Sequence, residues 1–179
     1  MKSKQKTLLV FIFLSFFAVS TLFGAETSIK EDGISAYEDL FEGFVYYADQ
    51  DRAALKSVKI RFPSTLESHQ LGREIIKALL AGPSVPSLEP TWPKDAKLNS
   101  FFIADDGTAY VDLTIEQGKI ENMDTQSELL AIYSMVNSLT MNIPKIKRVK
   151  LLIDGMDAMT LAGHIDLEYF YKTNMLIVK

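Results

Sequence analysis

Residues 98–114 read LNSFFIADDGTAYVDLT, and this stretch decides the predicted fold. Two runs rich in aromatic, aliphatic and β-branched residues, 98–104 and 108–114, flank Asp105-Asp106-Gly107. An Asp-Gly pair supplies the positive φ angles that a tight hairpin requires, and aspartates beside glycine are typical of turns. The stretch therefore predicts two antiparallel strands joined by a turn.

A helix is predicted on each side of this hairpin. Upstream, Ser64-Thr65-Leu66-Glu67 fits a capping box, and Gly82-Pro83 ends the helix because glycine permits a left-handed cap and proline cannot continue it. Downstream, Thr125-Gln126-Ser127-Glu128 fits a second capping box, and the helix ends before Pro144. The apolar stripe of this second helix consists of Leu129, Ile132, Tyr133, Val136 and Leu139.

Further strands are predicted towards both ends of the domain. Residues 44–48 and 55–62 are rich in β-branched and aromatic residues, and a turn at 49–51 separates them. Residues 149–153 read as another strand, and a last extended segment is predicted over 161–167. The order strand, strand, helix, hairpin, helix, strand predicts an α+β fold in which two helices pack on one face of a small mixed sheet.

The N-terminus has the pattern of an export signal. Three lysines within the first six residues precede an apolar run, residues 8–23, which is the anatomy of a signal peptide. Cleavage is predicted either at Ala18-Val19-Ser20 or at Phe23-Gly24-Ala25. The alternatives are an uncleaved anchor and a buried core helix. We expect a protein secreted across the cytoplasmic membrane, either periplasmic or membrane-anchored on the extracytoplasmic side.

The 179 residues suffice for one ordinary domain after such a leader. The predicted organisation is a signal peptide or N-terminal anchor at 1–25, an acidic linker at 26–43, one domain at 44–170, and a tail or edge strand at 171–179. The linker contains six acidic residues and a single basic one, Lys30, which is typical of a solvated spacer.

Composition excludes several classes of function. The chain has no cysteine, and therefore no disulfide framework, no thiol nucleophile, no cysteine-based metal site and no cysteine for lipid attachment. Without the three leader lysines, 16 basic residues face 23 acidic ones, a formal net charge of −7. Nucleic acid and anionic lipid both need a basic face, so neither is expected as the main partner.

Few residues offer catalytic chemistry. The only histidines, His69 and His164, have no metal-ligand spacing. In Gly163-His164-Ile165-Asp166 the histidine and the carboxylate lie two residues apart on a predicted strand and would share a face. His164 is then structural, a recognition residue, or an acid–base group with Asp166 or Asp112. We expect no cofactor, no metal and no enzymatic activity.

Trp92, the only tryptophan, lies in a proline-rich loop over 84–95. We expect it to pack this loop onto the core. The alternative is a ligand platform, in which Trp92 and the aromatic cluster Tyr46, Tyr47, Phe101 and Phe102 stack against a glycan or a small ligand. The candidate binding residues are therefore Trp92, His164 and Asp166.

The order of these motifs resembles that of one family, the sporulation and spore germination domain called GerMN. The resemblance covers most of 44–170 and combines a Gly-Pro helix end, a Val-Asp-Leu strand, an Asn-x-Leu-Thr helix end and an Asp-Gly strand end. The matching segments include Val45-Tyr46-Tyr47-Ala48, Ala78-Leu79-Leu80-Ala81-Gly82-Pro83, Trp92-Pro93, Gly107-Thr108-Ala109-Tyr110-Val111-Asp112-Leu113-Thr114, Val136-Asn137-Ser138-Leu139-Thr140, Ile153-Asp154-Gly155 and Gly163-His164-Ile165-Asp166.

The resemblance implies an extracytoplasmic, non-enzymatic domain related to the ring-building motifs of envelope machines, with no catalytic residues to carry over. One copy of the domain and no cysteine distinguish this chain from better-known members, so we expect a general envelope role. The expected role is an interaction or assembly module that docks other exported or membrane proteins through a sheet edge. The alternative is a domain that binds glycan, cell-wall material or a small ligand.

Overall fold

The computed structural model describes residues 39–116 and 123–179. The predicted leader at 1–25 and the linker up to residue 38 lie outside the described residues. In the described ranges, no helix has the length and apolar character needed to cross a membrane. The elements found there are β1 (Leu40–Asp49), β2 (Leu55–Pro63), α1 (Ser68–Ala81), β3 (Leu88–Glu89), β4 (Lys97–Ile103), β5 (Thr108–Thr114), α2 (Thr125–Asn142), β6 (Arg148–Ile153) and a 3₁₀ helix (Met175–Ile177).

The described strands form two three-stranded sheets. The first has the order β2-β1-β3 with antiparallel pairing throughout, and the second has the order β4-β5-β6, in which β4 is antiparallel and β6 parallel to β5. The predicted α+β class with two helices is confirmed, and the strands divide between two sheets instead of one. The β4–β5 turn has Gly107 at φ 84°, as the Asp-Gly pair predicts.

β1 begins earlier than predicted. It starts at Leu40, so residues 40–43, predicted as linker, pair with β2. Residues 45–48 are buried because both faces of this half of the strand are covered, one by the main core and the other by a smaller apolar cluster.

α2 closes the edge of β1 that faces away from β2. The Asn142 side chain accepts a hydrogen bond from the Phe44 N–H (2.8 Å) and donates one to the Phe44 carbonyl (2.6 Å). Ser138 Oγ accepts from the Tyr46 N–H at 3.0 Å. Side chains of a helix thus satisfy backbone groups that would otherwise be open to an added strand.

α1 begins three residues later than its predicted capping box. The N-cap is Glu67, whose N–H donates to Gln70 Oε1 at 3.1 Å. Ser64 cannot cap the helix because it continues the β1–β2 pairing, with its N–H bonded to the Asp39 carbonyl at 2.6 Å. The predicted helix end is confirmed, since Gly82 has φ 83°.

α2 is the central helix of the domain. Asp124 caps it, one residue before the predicted Thr125, and its Oδ1 accepts from the Ser127 N–H at 2.7 Å. Within 130–139 only Tyr133 is half-exposed, and the other residues are buried. A helix buried on nearly all sides lies inside a domain, so the predicted single stripe understates how much of α2 is core.

The chain after β6 is irregular. The predicted extended segment over 161–167 is not a strand, because the only pairing there is a bridge between Thr160 and Asp166. Residues 171–179 lie against the domain through a bridge from Tyr171 to Val149 and another from Val178 to Leu55. This stretch also contains the 3₁₀ helix.

Candidate functional site

Trp92 is a core residue. Its side chain is 3% exposed, and its indole N–H donates to Ser134 Oγ of α2 at 3.2 Å. Ser134 also bonds to the hydroxyl of Thr91 at 2.8 Å, so two consecutive loop residues are fastened to one helix. Trp92 is among the residues lining an open cleft of about 580 Å³, but a buried indole presents almost no stacking surface to a ligand.

The other predicted aromatic residues divide between core and surface. Tyr46, Tyr47 and Phe101 are buried, whereas Phe102 is 60% exposed. Burial raises the pKa of Tyr47 to about 12, and its hydroxyl donates to the Ala78 carbonyl at 2.8 Å. Phe102 is therefore the one member of this cluster that is available to a partner.

His164 contacts a carboxylate that the sequence did not indicate. Glu128, on the first turn of α2, is completely buried. Its Oε1 accepts from the N–H groups of Leu161 (3.0 Å) and Ala162 (2.8 Å), and its Oε2 accepts from the His164 N–H (3.0 Å). His164 Nδ1 lies 3.0 Å from the same Oε2. One carboxylate thus holds the loop after β6 onto the helix.

The predicted His164–Asp166 pair is not assembled. Asp166 Oδ1 accepts from the Glu168 N–H at 2.7 Å, within its own loop. Asp112, the second predicted partner, accepts from the Gly155 N–H at 2.8 Å. The prediction fails because the segment is not a strand, so residues two apart do not share a face.

The aspartates of the two Asp-Gly turns accept hydrogen bonds from threonines. Asp106 Oδ1 accepts from the Thr108 N–H at 2.9 Å, and Asp154 Oδ1 from the Thr114 hydroxyl at 2.7 Å. The Thr108 backbone and hydroxyl, together with Arg148, hold the pKa of Asp106 below its usual value. In residues 39–116 and 123–179 no three His, Cys, Asp or Glu side chains converge as a metal site would require.

An aromatic face covers part of the outer side of the second sheet. We define it by Phe102 on β4, Tyr110 on β5, Arg148 on β6 and Phe170 from the loop after β6. Phe102 and Tyr110 are direct cross-strand partners, so their side chains share one face. The rings of Tyr110 and Phe170 meet edge to face with centroids 6.5 Å apart, and Arg148 Cζ lies 4.4 Å from the centroid of Phe170.

The aromatic face is held in place before any partner binds. Arg148 Nε donates to the Thr108 hydroxyl at 2.7 Å, and Nη2 donates to Asp106 Oδ2 at 2.7 Å. Edge-to-face aromatic pairs and cation–π contacts each favour one arrangement. Because Phe102 (60%) and Phe170 (43%) remain exposed, the face combines fixed geometry with accessible apolar area.

The edge of β4 is less suited to strand addition. His69 Nε2, from α1, donates to the Phe101 carbonyl at 2.7 Å. A register shift between Leu98 and Ser100 also interrupts the β4–β5 pairing. A bulge and a covered carbonyl both discourage an added strand, so the aromatic face, and not this edge, is the better candidate for an interaction site.

The described chain is thus a small α+β domain with a fixed aromatic outer face. The sequence profile of the family described as Germane, sporulation and spore germination, matches residues 44–158. That match spans more than half of the chain, so the chain belongs to this family. The resemblance to GerMN domains drawn from the sequence motifs is confirmed.

Solved structures support the fold. A candidate lipoprotein from Clostridium perfringens is 28% identical, with 74% of this chain and 87% of that one covered and a TM-score of 0.53. The first GerMN domain of the sporulation protein GerM from Bacillus subtilis is 20% identical, with 75% and 98% covered and a TM-score of 0.56. The tandem GerMN domains of that protein are 21% identical, with 72% and 44% covered and a TM-score of 0.57. A search of curated proteins gives no match.

Proposed function

We propose that this protein is a non-catalytic interaction module of the bacterial cell envelope that docks another exported or membrane protein outside the cytoplasmic membrane. The family description and the relation to a candidate lipoprotein support an envelope role. The predicted export signal at 1–25 agrees with that location. Such docking is a general envelope role, and sporulation or germination is one setting for it.

The observation that carries the proposal is the aromatic face. Residues that dominate protein–protein binding are enriched in aromatic and arginine side chains set in a fixed, packed arrangement. Arg148 and Phe170 meet this description, since the arginine is bonded to Asp106 and stacked on the ring, and Phe102 adds exposed aromatic area beside them. Little side-chain entropy remains to be lost on binding, which favours affinity.

The non-catalytic part of the proposal is supported by the contacts of the candidate catalytic groups. His164 and Glu128 hold a loop, and Asp112 and Asp166 each accept a backbone N–H. A group committed to backbone donors is poorly placed to exchange a proton with a substrate. Turnover of an envelope polymer by the purified protein would contradict this part.

Site-specific crosslinking in living cells tests the docking proposal. A photoreactive amino acid at Phe102 of the full-length tagged protein should capture one dominant exported or membrane protein. The same probe at Lys77, exposed on α1, is the matched control and should not capture it. Equal capture from both positions, or no specific protein from Phe102, would count against the aromatic face as the docking site.

A glycan-binding role is the second candidate, and the exposed rings of Phe102 and Phe170 favour it. An exposed aromatic ring offers a flat apolar face on which a sugar ring can stack. Cell-wall fragments should then bind the wild-type protein and not Phe102→Ala, while the Lys77→Ala variant binds normally. Binding that is indifferent to Phe102 would remove this candidate.

A further inference from the structure

A second surface lies on the first sheet, away from the aromatic face. In β1, residues 40, 42, 44 and 46 share one side of the strand, and Leu40 and Phe44 are exposed there. Met141 is also exposed and adjoins this strand, because the next residue, Asn142, bonds to the Phe44 backbone. Three large apolar side chains are therefore exposed to solvent on and beside β1.

The C-terminal segment extends this surface. Ile177 and Val178 pack with Tyr46 and Leu55, and Tyr46 lies on the same side of β1 as Phe44. Two residues of this segment, Met175 (44%) and Leu176 (96%), project into solvent. We call the combined surface, Leu40, Phe44, Met141, Met175 and Leu176, the apolar end.

The apolar end has a basic border. Lys59 pairs with Phe44 and Arg61 with Glu42 across β1 and β2, so both cations stand on the side that carries Phe44. Glu42 forms an ion pair with Lys59. Lys56, the third basic residue of β2, pairs with Tyr47 and stands on the other side, and the whole chain has a net charge of −4.

We infer that the apolar end is a contact surface for an anionic lipid bilayer. Surfaces that lie in a membrane interface combine protruding apolar side chains with a basic border, and each Lys or Arg close to an anionic leaflet strengthens binding about fivefold. The net charge of the chain does not oppose this, since salt screens charges beyond about 8 Å. The first described strand begins at Leu40, on this surface.

A second copy of the chain fits this surface less well. Isologous contact would place this patch of both copies in one interface, so Lys59 and Arg61 of the two copies would share that interface and repel each other. An anionic lipid surface supplies the opposite charge to the same residues. The lipid is therefore the occupant that the charge pattern favours.

Single-cysteine labelling tests the inference, because the chain has no cysteine of its own. An environment-sensitive fluorophore on Leu176→Cys of the full-length chain is reconstituted in vesicles of phosphatidylcholine, alone or mixed equally with phosphatidylglycerol. Brominated acyl chains should quench this label strongly in the mixed vesicles. The same label on Lys77→Cys should be quenched little in the same vesicles.

The charge variant Lys59→Gln/Arg61→Gln decides whether anionic lipid is responsible. It should lower the fraction of Leu176→Cys label that contacts lipid at least tenfold in the mixed vesicles and little in phosphatidylcholine alone. Equal quenching at positions 176 and 77 would overturn the inference. Quenching at position 176 that changes neither with phosphatidylglycerol nor in the charge variant would overturn it as well. Self-quenching between labels at 176 in detergent would instead assign the apolar end to a second copy.

Discussion

Two irregular loops, residues 82–96 and 154–171, are both fastened to α2, but by different physical means. The first inserts Trp92 into the core and adds neutral hydrogen bonds to Ser134. The second is held by the buried carboxylate of Glu128, which accepts three backbone N–H groups of the loop. Apolar burial is non-directional, whereas charge-assisted hydrogen bonds are strong and demand exact geometry.

This difference determines what each loop contributes to the domain. Both loops place side chains in the main core, Trp92 from the first and Leu161 and Leu167 from the second, but only the second also depends on a buried charge. The 154–171 loop carries Phe170 of the aromatic face, and its anchor acts on a few adjacent amides. We therefore expect damage to the first loop to appear as lost global stability, and damage to the second to appear as local opening.

Replacing Trp92 with alanine should have the largest effect. Deleting a buried Trp leaves a large cavity and costs about 4 kcal/mol of unfolding free energy. Urea unfolding followed by circular dichroism measures the loss. Lys94→Ala, on the exposed side of the same loop, is the control and should change stability by less than about 0.5 kcal/mol. Equal effects of the two variants would mean that Trp92 does not anchor the loop.

Replacing Glu128 with glutamine should have the next largest effect. The amide keeps one acceptor, but its NH₂ group then faces donors of His164 and the loop, which costs about 2 kcal/mol. Hydrogen exchange at Leu161, Ala162 and His164 should accelerate, while exchange in β5 stays slow. Glu74→Gln on α1 is the matched control. Equal acceleration of hydrogen exchange across the whole domain would show that loss of the Glu128 carboxylate does not open the 154–171 loop locally.

Replacing His164 with alanine should have a smaller effect. The variant keeps the His164 N–H bond to Glu128 and loses only the Nδ1 contact, so the cost is about 1 kcal/mol. Because the ring holds a loop, crosslinking through Phe102 should survive. A stable His164→Ala protein that has lost its cellular function would instead restore a direct role for the ring.

The sequence predicted the regular elements well and their first residues less well. The β4–β5 turn, the Gly82 helix end and the end of α2 before Pro144 depend on local chemistry that a short window contains. Both capping boxes were placed wrongly, since Ser64 is used by the β1–β2 pairing and Asp124 precedes Thr125 as the cap. The division into two sheets depends on long-range pairing, which periodicity does not specify.

Less of the candidate functional site than of the fold could be predicted from the sequence. Glu128 fitted a cap position, and nothing local indicates that it turns inward towards a loop 33 to 36 residues away. Phe101 and Phe102 are adjacent aromatics, and strand period alone cannot say which one faces the core. Trp92 was expected in the core with a ligand platform as the alternative, and its burial supports the first.

The smallest predicted effect concerns acid, and it acts through Asp124 at the start of α2. The Ser127 N–H and hydroxyl lower the pKa of Asp124 in the folded protein. Its contribution to stability is then fully present above the unfolded pKa of about 3.9 and is lost as the pH falls through the lower folded value. The first turn that it caps carries Glu128, so the 154–171 loop should loosen before the Trp92 loop does.

Asp124→Asn separates this contribution from that of other carboxylates, because asparagine caps a helix without titrating. Its stability should match that of the wild type near neutral pH and fall less steeply in acid, as measured by urea unfolding at a series of pH values. Asp105→Asn leaves the cap intact and is the matched control. If the stability of Asp124→Asn falls in acid as steeply as that of the wild type, protonation of Asp124 is not linked to folding. The earlier opening of the 154–171 loop would then have another cause.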